Sequence, residues 1–233
     1  MSNGTMTTAT RISPLHGCIA ALNPTWIEIH RMQVPLSFST AVDEDRVRRR
    51  LGLCDVSCLD RFGLKGPGAA EWLACQGVNP PAGINRWEPL NGGGVIARLG
   101  TNEFFIEDGI QGSFATTLGS VLGRGTPAVY PVIRQDAAIA ITGREAGSLL
   151  AQTCSFDFNG FDVNERLVVM TSMVGVSVLM IRSLRDEVPC YRIWCDGTYG
   201  PYLWRTLLEI AEELGGAAIG LGCLFPEVAL RQT

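Results

Sequence analysis

The residues able to do chemistry are few and poorly grouped. Only two histidines occur, His16 and His30, both near the start of the chain. A Ser-His-Asp or Cys-His system would have to use one of them, and no G-x-S-x-G turn presents a serine. Eight cysteines stand at positions 18, 54, 58, 75, 154, 190, 195 and 223. None forms C-x-x-C, and neither histidine lies beside Cys54/Cys58 or Cys190/Cys195, so no metal site is expected. Mostly among apolar neighbours, they read as small buried hydrophobes in a reducing compartment. Four pairs of adjacent acids occur: Asp43/Glu44, Glu107/Asp108, Asp186/Glu187 and Glu212/Glu213. Neighbours in sequence seldom face one another on a helix or strand, so all four read as exposed helix turns or hairpin ends. Gly92-Gly93-Gly94 lacks the dinucleotide-binding spacing. Gly66-Pro67-Gly68 could hold an anion at a helix start, but no Lys-Ser/Thr follows, and a tight strand-to-helix turn is the simpler reading. The aromatic group Tyr191, Trp194, Tyr199, Tyr202 and Trp204 is either core at a strand–helix junction or an interface anchor.

The elements that would position these groups follow from periodicity and punctuation. A short helix is expected near Pro14 to Leu22, and Trp26 to Arg31 alternates as a strand does. Thr40 and Asp43 have the spacing of a capping box. Acids follow in the first turn of that helix, and Arg46, Arg48, Arg49 and Arg50 close it as a solvated end. Beyond it the chain repeats. Phe62 to Gly66 leads into a helix at Ala69 to Cys75, and Ile139 to Gly143 leads into a helix at Ala146 to Cys154. Setting Gly66 on Gly143 also matches Ala69 with Ala146, Leu73 with Leu150 and Ala74 with Ala151. The first unit continues with strands at Val95 to Leu99 and Glu103 to Glu107. It closes with a helix from Ser113 to Leu122, whose apolar face is Phe114, Leu118 and Val121. The second continues with strands at Leu167 to Met173, Val176 to Ser183 and Cys190 to Cys195, then a helix at Tyr202 to Leu214. The fold class is therefore α+β: two similar half-domains, each a mainly antiparallel sheet with packed helices, their inner faces buried together. The expected divisions are a flexible tail over 1–12, a first half over 13–127 and a second over 128–233.

Composition narrows the function. The 233 residues are 46% hydrophobic and 18% charged, below the usual charged share of about 25%. Net charge is −4, so no basic field exists for nucleic acid. The apolar run Leu167 to Ile181 is broken by Thr171, Ser172, Gly175 and Ser177 and is no membrane span. The first residues carry no apolar leader, and a cytoplasmic location is expected. A mean hydropathy of +0.18 agrees with extensive contacts to other chains.

Several motifs carry a resemblance. Ser13-Pro14-Leu15, Val34-Pro35-Leu36-Ser37-Phe38-Ser39, Asp43-Glu44 and Leu51-Gly52-Leu53-Cys54-Asp55-Val56-Ser57 resemble the opening of the glycine-cleavage T-protein (aminomethyltransferase) family. Leu64-Lys65-Gly66-Pro67-Gly68-Ala69 and Gly220-Leu221-Gly222 resemble later elements of that family. Its aspartate pair after a G-G-x-x stretch is missing where Gly93-Gly94-Val95 runs into Ile96-Ala97-Arg98, and its G-Y-T-G-E segment is absent before Tyr191-Arg192-Ile193. The sequence also stops where the family's C-terminal barrel would begin.

With its Pro201-Tyr202-Leu203-Trp204 helix, the chain is more similar to the gamma subunits of heterotetrameric sarcosine oxidase and the D subunits of N-methylglutamate dehydrogenase. That resemblance implies a non-catalytic subunit with no catalytic residue, cofactor or metal of its own. FAD, FMN, NAD, tetrahydrofolate and zinc would sit on alpha, beta and delta partners. A stand-alone tetrahydrofolate-binding or aminomethyl-transfer protein is the alternative, with Asn79, Trp87 and Tyr199 as candidates for a remnant pterin pocket.

Overall fold

The computed structural model describes residues 11–38, 43–122, 126–158, 160 and 162–230. Arg11 and Ile12, assigned to the tail from sequence, instead form a short strand β1 (Arg11–Ile12). It runs parallel to β3 (Met32–Phe38), whose other edge pairs with β2 (Pro24–Ile29). Between β1 and β2 lies α1 (His16–Ala20). Thr40 lies outside the described residues. The next helix, α2 (Glu44–Leu51), is capped by Asp43, whose carboxylate accepts the N–H groups of Asp45 and Arg46. Its arginine end is only partly solvated. Arg48 is buried between Asp45 and Asp186, and Arg50 donates to the carbonyl of Leu214.

Two further sheets carry the repeat. The first unit runs β4 (Gly52–Asp55), β5 (Arg61–Lys65), α3 (Ala69–Cys75), β6 (Arg86–Pro89), β7 (Val95–Gly100), β8 (Glu103–Glu107) and α4 (Phe114–Val121). The second runs β9 (Tyr130–Val132), β10 (Asp136–Thr142), α5 (Ala146–Thr153), β11 (Val168–Met173), β12 (Val176–Arg185), β13 (Val188–Asp196) and α6 (Gly200–Glu213). A two-residue β14 (Ala217–Ala218) and the short helices α7 (Leu221–Leu224) and α8 (Pro226–Ala229) close the described chain. One sheet has the order β6-β7-β8-β5-β9, the other β11-β12-β13-β10-β4-β14. The first five strands of each order correspond, with the units exchanging their leading strands, and β14 is an addition to the second sheet. β4 pairs antiparallel with β10, and β9 pairs antiparallel with β5.

The duplication extends to single backbone contacts. Gly66 and Gly143 end β5 and β10 with φ of +128° and +124°, a region that side chains avoid. A Cβ on Gly66 would lie 2.2 Å from the carbonyl oxygen of Ala128, just before β9. A Cβ on Gly143 would lie 2.2 Å from that of Arg50, just before β4. The same two carbonyls accept hydrogen bonds from Gly68 (3.0 Å) and Glu145 (2.9 Å). Gly66-Pro67-Gly68 is thus a strand-to-helix turn clamped by the exchanged strand.

Strand alternation then sets the layers. Phe104 and Ile106 pack outward against Leu73 of α3 and Leu118 of α4. The buried face of α4 is Ala115 and Leu118, and Val121, assigned to it from sequence, is half exposed. Ile139 and Ile141 pack outward with Leu149 and Leu150 of α5 and with Leu203, Trp204 and Leu207 of α6. Phe105, Ala138, Ala140 and Trp194 point inward, so the two sheets meet face to face. Phe105 and Trp194 touch edge to face at 4.9 Å across that seam. Among the described residues no helix is long and apolar enough to cross a membrane.

Candidate functional site at the seam between the sheets

An acid sits at the seam where the sequence placed an exposed hairpin end. Glu107 is fully buried, and Asp108 nearly so. The physical reason is parity. Glu107 lies two residues after Phe105 on β8 and shares its inward face. Arg61 is its direct cross-strand partner, with Nε 2.7 Å from the carboxylate. Arg192 of β13 donates to the other carboxylate oxygen at 3.0 Å, and the indole N–H of Trp194 donates to Glu107 as well. Arg61 also donates to the carbonyls of Val56, Ser57 and Asp136. This network bridges the two sheets with every carboxylate oxygen engaged. Asp108 has a different task. Its oxygens accept the N–H groups of Phe114 and Ala115, each at 2.9 Å, and so hold the start of α4.

The motifs behind the family resemblance do positional work. The Ser13 hydroxyl donates to Asp55 at 2.5 Å, and the backbone N–H of Ser57 donates to the same carboxylate at 2.9 Å. The Ser57 hydroxyl in turn accepts the N–H of Ala138 at 3.0 Å. The serine of Ser13-Pro14-Leu15 and the Asp55-Val56-Ser57 segment are therefore one buried cluster that ties β4 and the chain start to β10. Burial raises the Asp55 carboxyl above its ordinary value, while its hydrogen bonds to Ser13 and Ser57 pull the other way.

Two cavities flank the seam, and Arg134 and Asp136, just before and at the start of β10, line both. The first, about 680 Å³, is bounded by Arg11, Asp60, Arg61 and the apolar residues Ile12, Pro131 and Ile133. Arg11 pairs there with Asp60, whose other oxygen lies 3.5 Å from His30. The second, about 660 Å³, has apolar walls from Leu99, Val178, Leu179 and Trp194, hydroxyls from Ser172 and Ser177, and the carboxylates Glu103 and Asp196. Arg134 lies over the Phe105 ring at 5.2 Å and 3.7 Å from Glu103, yet its Nε has no hydrogen-bond partner. Asp136 Oδ2 is buried and likewise unpartnered. Burial raises the Asp136 carboxyl above its ordinary 3.8, against the opposing pull of Arg134 and Arg61. Cys195, on the wall of the second cavity, has its thiol pushed up to about 11 and stays protonated at neutral pH. Among the described residues no group of three His, Cys, Asp or Glu side chains could hold a metal ion.

The residues singled out from sequence are scattered. Asn79 is exposed in the loop after α3. Trp87 is buried in the inner core with its indole N–H unpartnered. Tyr199 is exposed at the start of α6. None of the three lines either cavity. The aromatic group divides: Tyr191, Trp194 and Trp204 are core, whereas Tyr199 and Tyr202 are on the surface. Glu107 was read as an exposed hairpin end, and Arg134 and Asp136 were not singled out. The signal for Glu107 was its shared parity with Phe105. For the other two it was a charged pair at i, i+2 leading into an alanine-rich strand.

Two face-to-face sheets that exchange their leading strands and join through a buried acid make a specific architecture to compare. It overlays the glycine cleavage system aminomethyltransferase T of Bartonella henselae with a TM-score of 0.72 at 16% identity, covering 91% of this chain and 60% of that one. The fold is aminomethyltransferase-like. A chain of the heterotetrameric sarcosine oxidase from Corynebacterium sp. U-96 also shares it, with a TM-score of 0.64 at 20% identity, 89% of this chain and 97% of that one. By sequence, aminomethyltransferases of Bacillus cereus (strain G9842) and Bacillus anthracis (strain CDC 684 / NRRL 3495) are 25% identical over 228 residues. The chain spans 61% of the length of those relatives. No family model matches it.

Proposed function

We propose that the chain is a gamma-type, structural subunit of a multi-subunit flavoprotein that oxidatively demethylates an N-methyl amino acid such as sarcosine or N-methylglutamate. The observation that carries this reading is the seam. Its central acid, Glu107, is neutralised by two arginines and an indole N–H, so it is committed to joining the sheets and has no free oxygen for proton transfer. The overlay on nearly the whole of the sarcosine oxidase chain supports the same reading. So do the exposed apolar residues Ile12 and Ile133 beside the first cavity, which suit contact with other chains. In this reading the alpha, beta and delta partners carry FAD, FMN, NAD, tetrahydrofolate and zinc, and this chain works in the cytoplasm. Tagged protein purified from its source cells tests it: co-purification with flavin-bearing chains is expected, and a colourless lone chain would overturn it.

A second reading is favoured by the sequence matches to aminomethyltransferases, which extend over 90% of the chain. In it the protein binds tetrahydrofolate by itself. The trio Asn79, Trp87 and Tyr199 does not converge on either cavity, so a folate is to be sought in the spaces beside Arg134 and Asp136. Titration with tetrahydrofolate decides it. Saturable heat with a change in tryptophan fluorescence supports this reading, and the absence of both removes it.

A further inference from the structure

The second cavity has a charge imbalance that the seam does not explain. Three carboxylates, Glu103, Asp136 and Asp196, line it against a single guanidinium, Arg134. That guanidinium is divided between Glu103 at 3.7 Å and the Phe105 ring. Arg61, the other cation acting on Asp136, is committed to Glu107 on the far side. Asp196 is held ionised by the hydroxyl and N–H of Thr198, which lower its carboxyl below the ordinary range. Asp136 Oδ2, buried and without a hydrogen-bond donor, is an acceptor with nothing to accept. A buried acceptor left in this state is unfavourable, and a ligand N–H relieves it.

The imbalance calls for a cation, and the walls say which kind. The ligating side chains do not converge closely enough for a metal ion among the described residues. The rest of the lining is largely apolar, with Leu99, Val178, Leu179 and Trp194 facing the same space as the acids. A cavity that combines one hungry carboxylate with hydrocarbon walls suits a charged head on an apolar stem. We propose that the second cavity binds a small organic cation, a primary or secondary amine with an apolar substituent, whose N–H groups are received by Asp136. Asp196 and Glu103 add favourable potential at the mouth, and Trp194 packs beside the stem. This site does not rest on the subunit role, and it adjoins the Glu107 network through Trp194 and the Asp136 carbonyl.

The test uses the full chain with n-butylammonium chloride as probe and butan-1-ol as its neutral counterpart, read by calorimetry and tryptophan fluorescence. Saturable binding of one butylammonium per chain in the low-millimolar range is a modest demand for a ligand of about five non-hydrogen atoms. Butanol is expected to bind at least about 10-fold more weakly, because it cannot supply the charge-assisted bond. Asp136→Asn is expected to weaken butylammonium by about 10-fold or more while leaving butanol unchanged. Ser177→Trp, at an exposed position on the cavity rim, fills the space and is expected to abolish binding of both. The proposal is overturned if butylammonium does not saturate, if butanol binds equally well, or if Asp136→Asn binds the amine as the parent does. Should Asp136→Asn not fold, retention of binding by Ser177→Trp overturns it equally.

Discussion

The two acids that matter most sit in opposite electrostatic situations. Glu107 is buried with its charge fully met, and Asp136 is half-buried with one buried oxygen unmet. Removing the first leaves Arg61 and Arg192 without their counter-charge, so Glu107→Ala is expected to destabilise the protein by about 3–5 kcal/mol in urea unfolding. Removing the second relieves a penalty. Because burial raises the Asp136 carboxyl above 3.8, the folded chain holds its proton more tightly than the unfolded chain does. Its contribution to stability is therefore greatest at acid pH and declines as pH rises through the folded value. Asp136→Asn should gain stability relative to the parent between pH 3 and pH 7, and urea midpoints across that range check the sign. Neither role was evident in the sequence. Adjacent acids look alike on paper, and what separates Glu107 from Asp186/Glu187 is that its strand is covered on both faces. The sequence did show that Ser13 and the Asp55-Val56-Ser57 segment mattered, although their work is to fasten the chain start to β10.

At the scale of elements, the repeat was readable because it rests on glycine. Gly66 and Gly143 stand at equivalent turns, share a φ near +125° and leave no room for a Cβ. Gly66→Ala and Gly143→Ala should each lose about 1–3 kcal/mol from backbone strain alone, with the clash against the neighbouring carbonyl adding to it. Similar losses at both sites in denaturant titrations would reflect the duplication directly. A smaller effect belongs to α2, where Asp43→Ala removes the cap and should lower stability by about 1 kcal/mol. The strong strands β7, β8 and β10 to β13 were marked by alternation or apolar runs, α3 and α5 by the repeat, and α4 and α6 by helical spacing. β4, β9 and β14 were not, since strands of two to four residues carry too little periodicity. The exchange of β4 and β9 between the units is a long-range pairing that no local pattern encodes.

At the scale of the whole molecule, the fold is a helix–sheet–sheet–helix stack whose inner layer is spent on holding the two units together. Bulky inner residues such as Phe105 and Trp194 and the Glu107 network occupy the seam, and two cavities lie at its flanks. That division is what the subunit reading expects: a rigid centre, with apolar and charged features kept for the periphery. The α+β class and the paired inner faces followed from the repeat and the apolar periodicity. The function did not, because the groups that distinguish a scaffold from a transferase are matters of burial and partnership. The most direct test is native mass spectrometry of the tagged protein from its source cells, with an absorbance spectrum of the same fraction. The account predicts a yellow assembly of four different chains that includes this one. A colourless monomer or homodimer would contradict it.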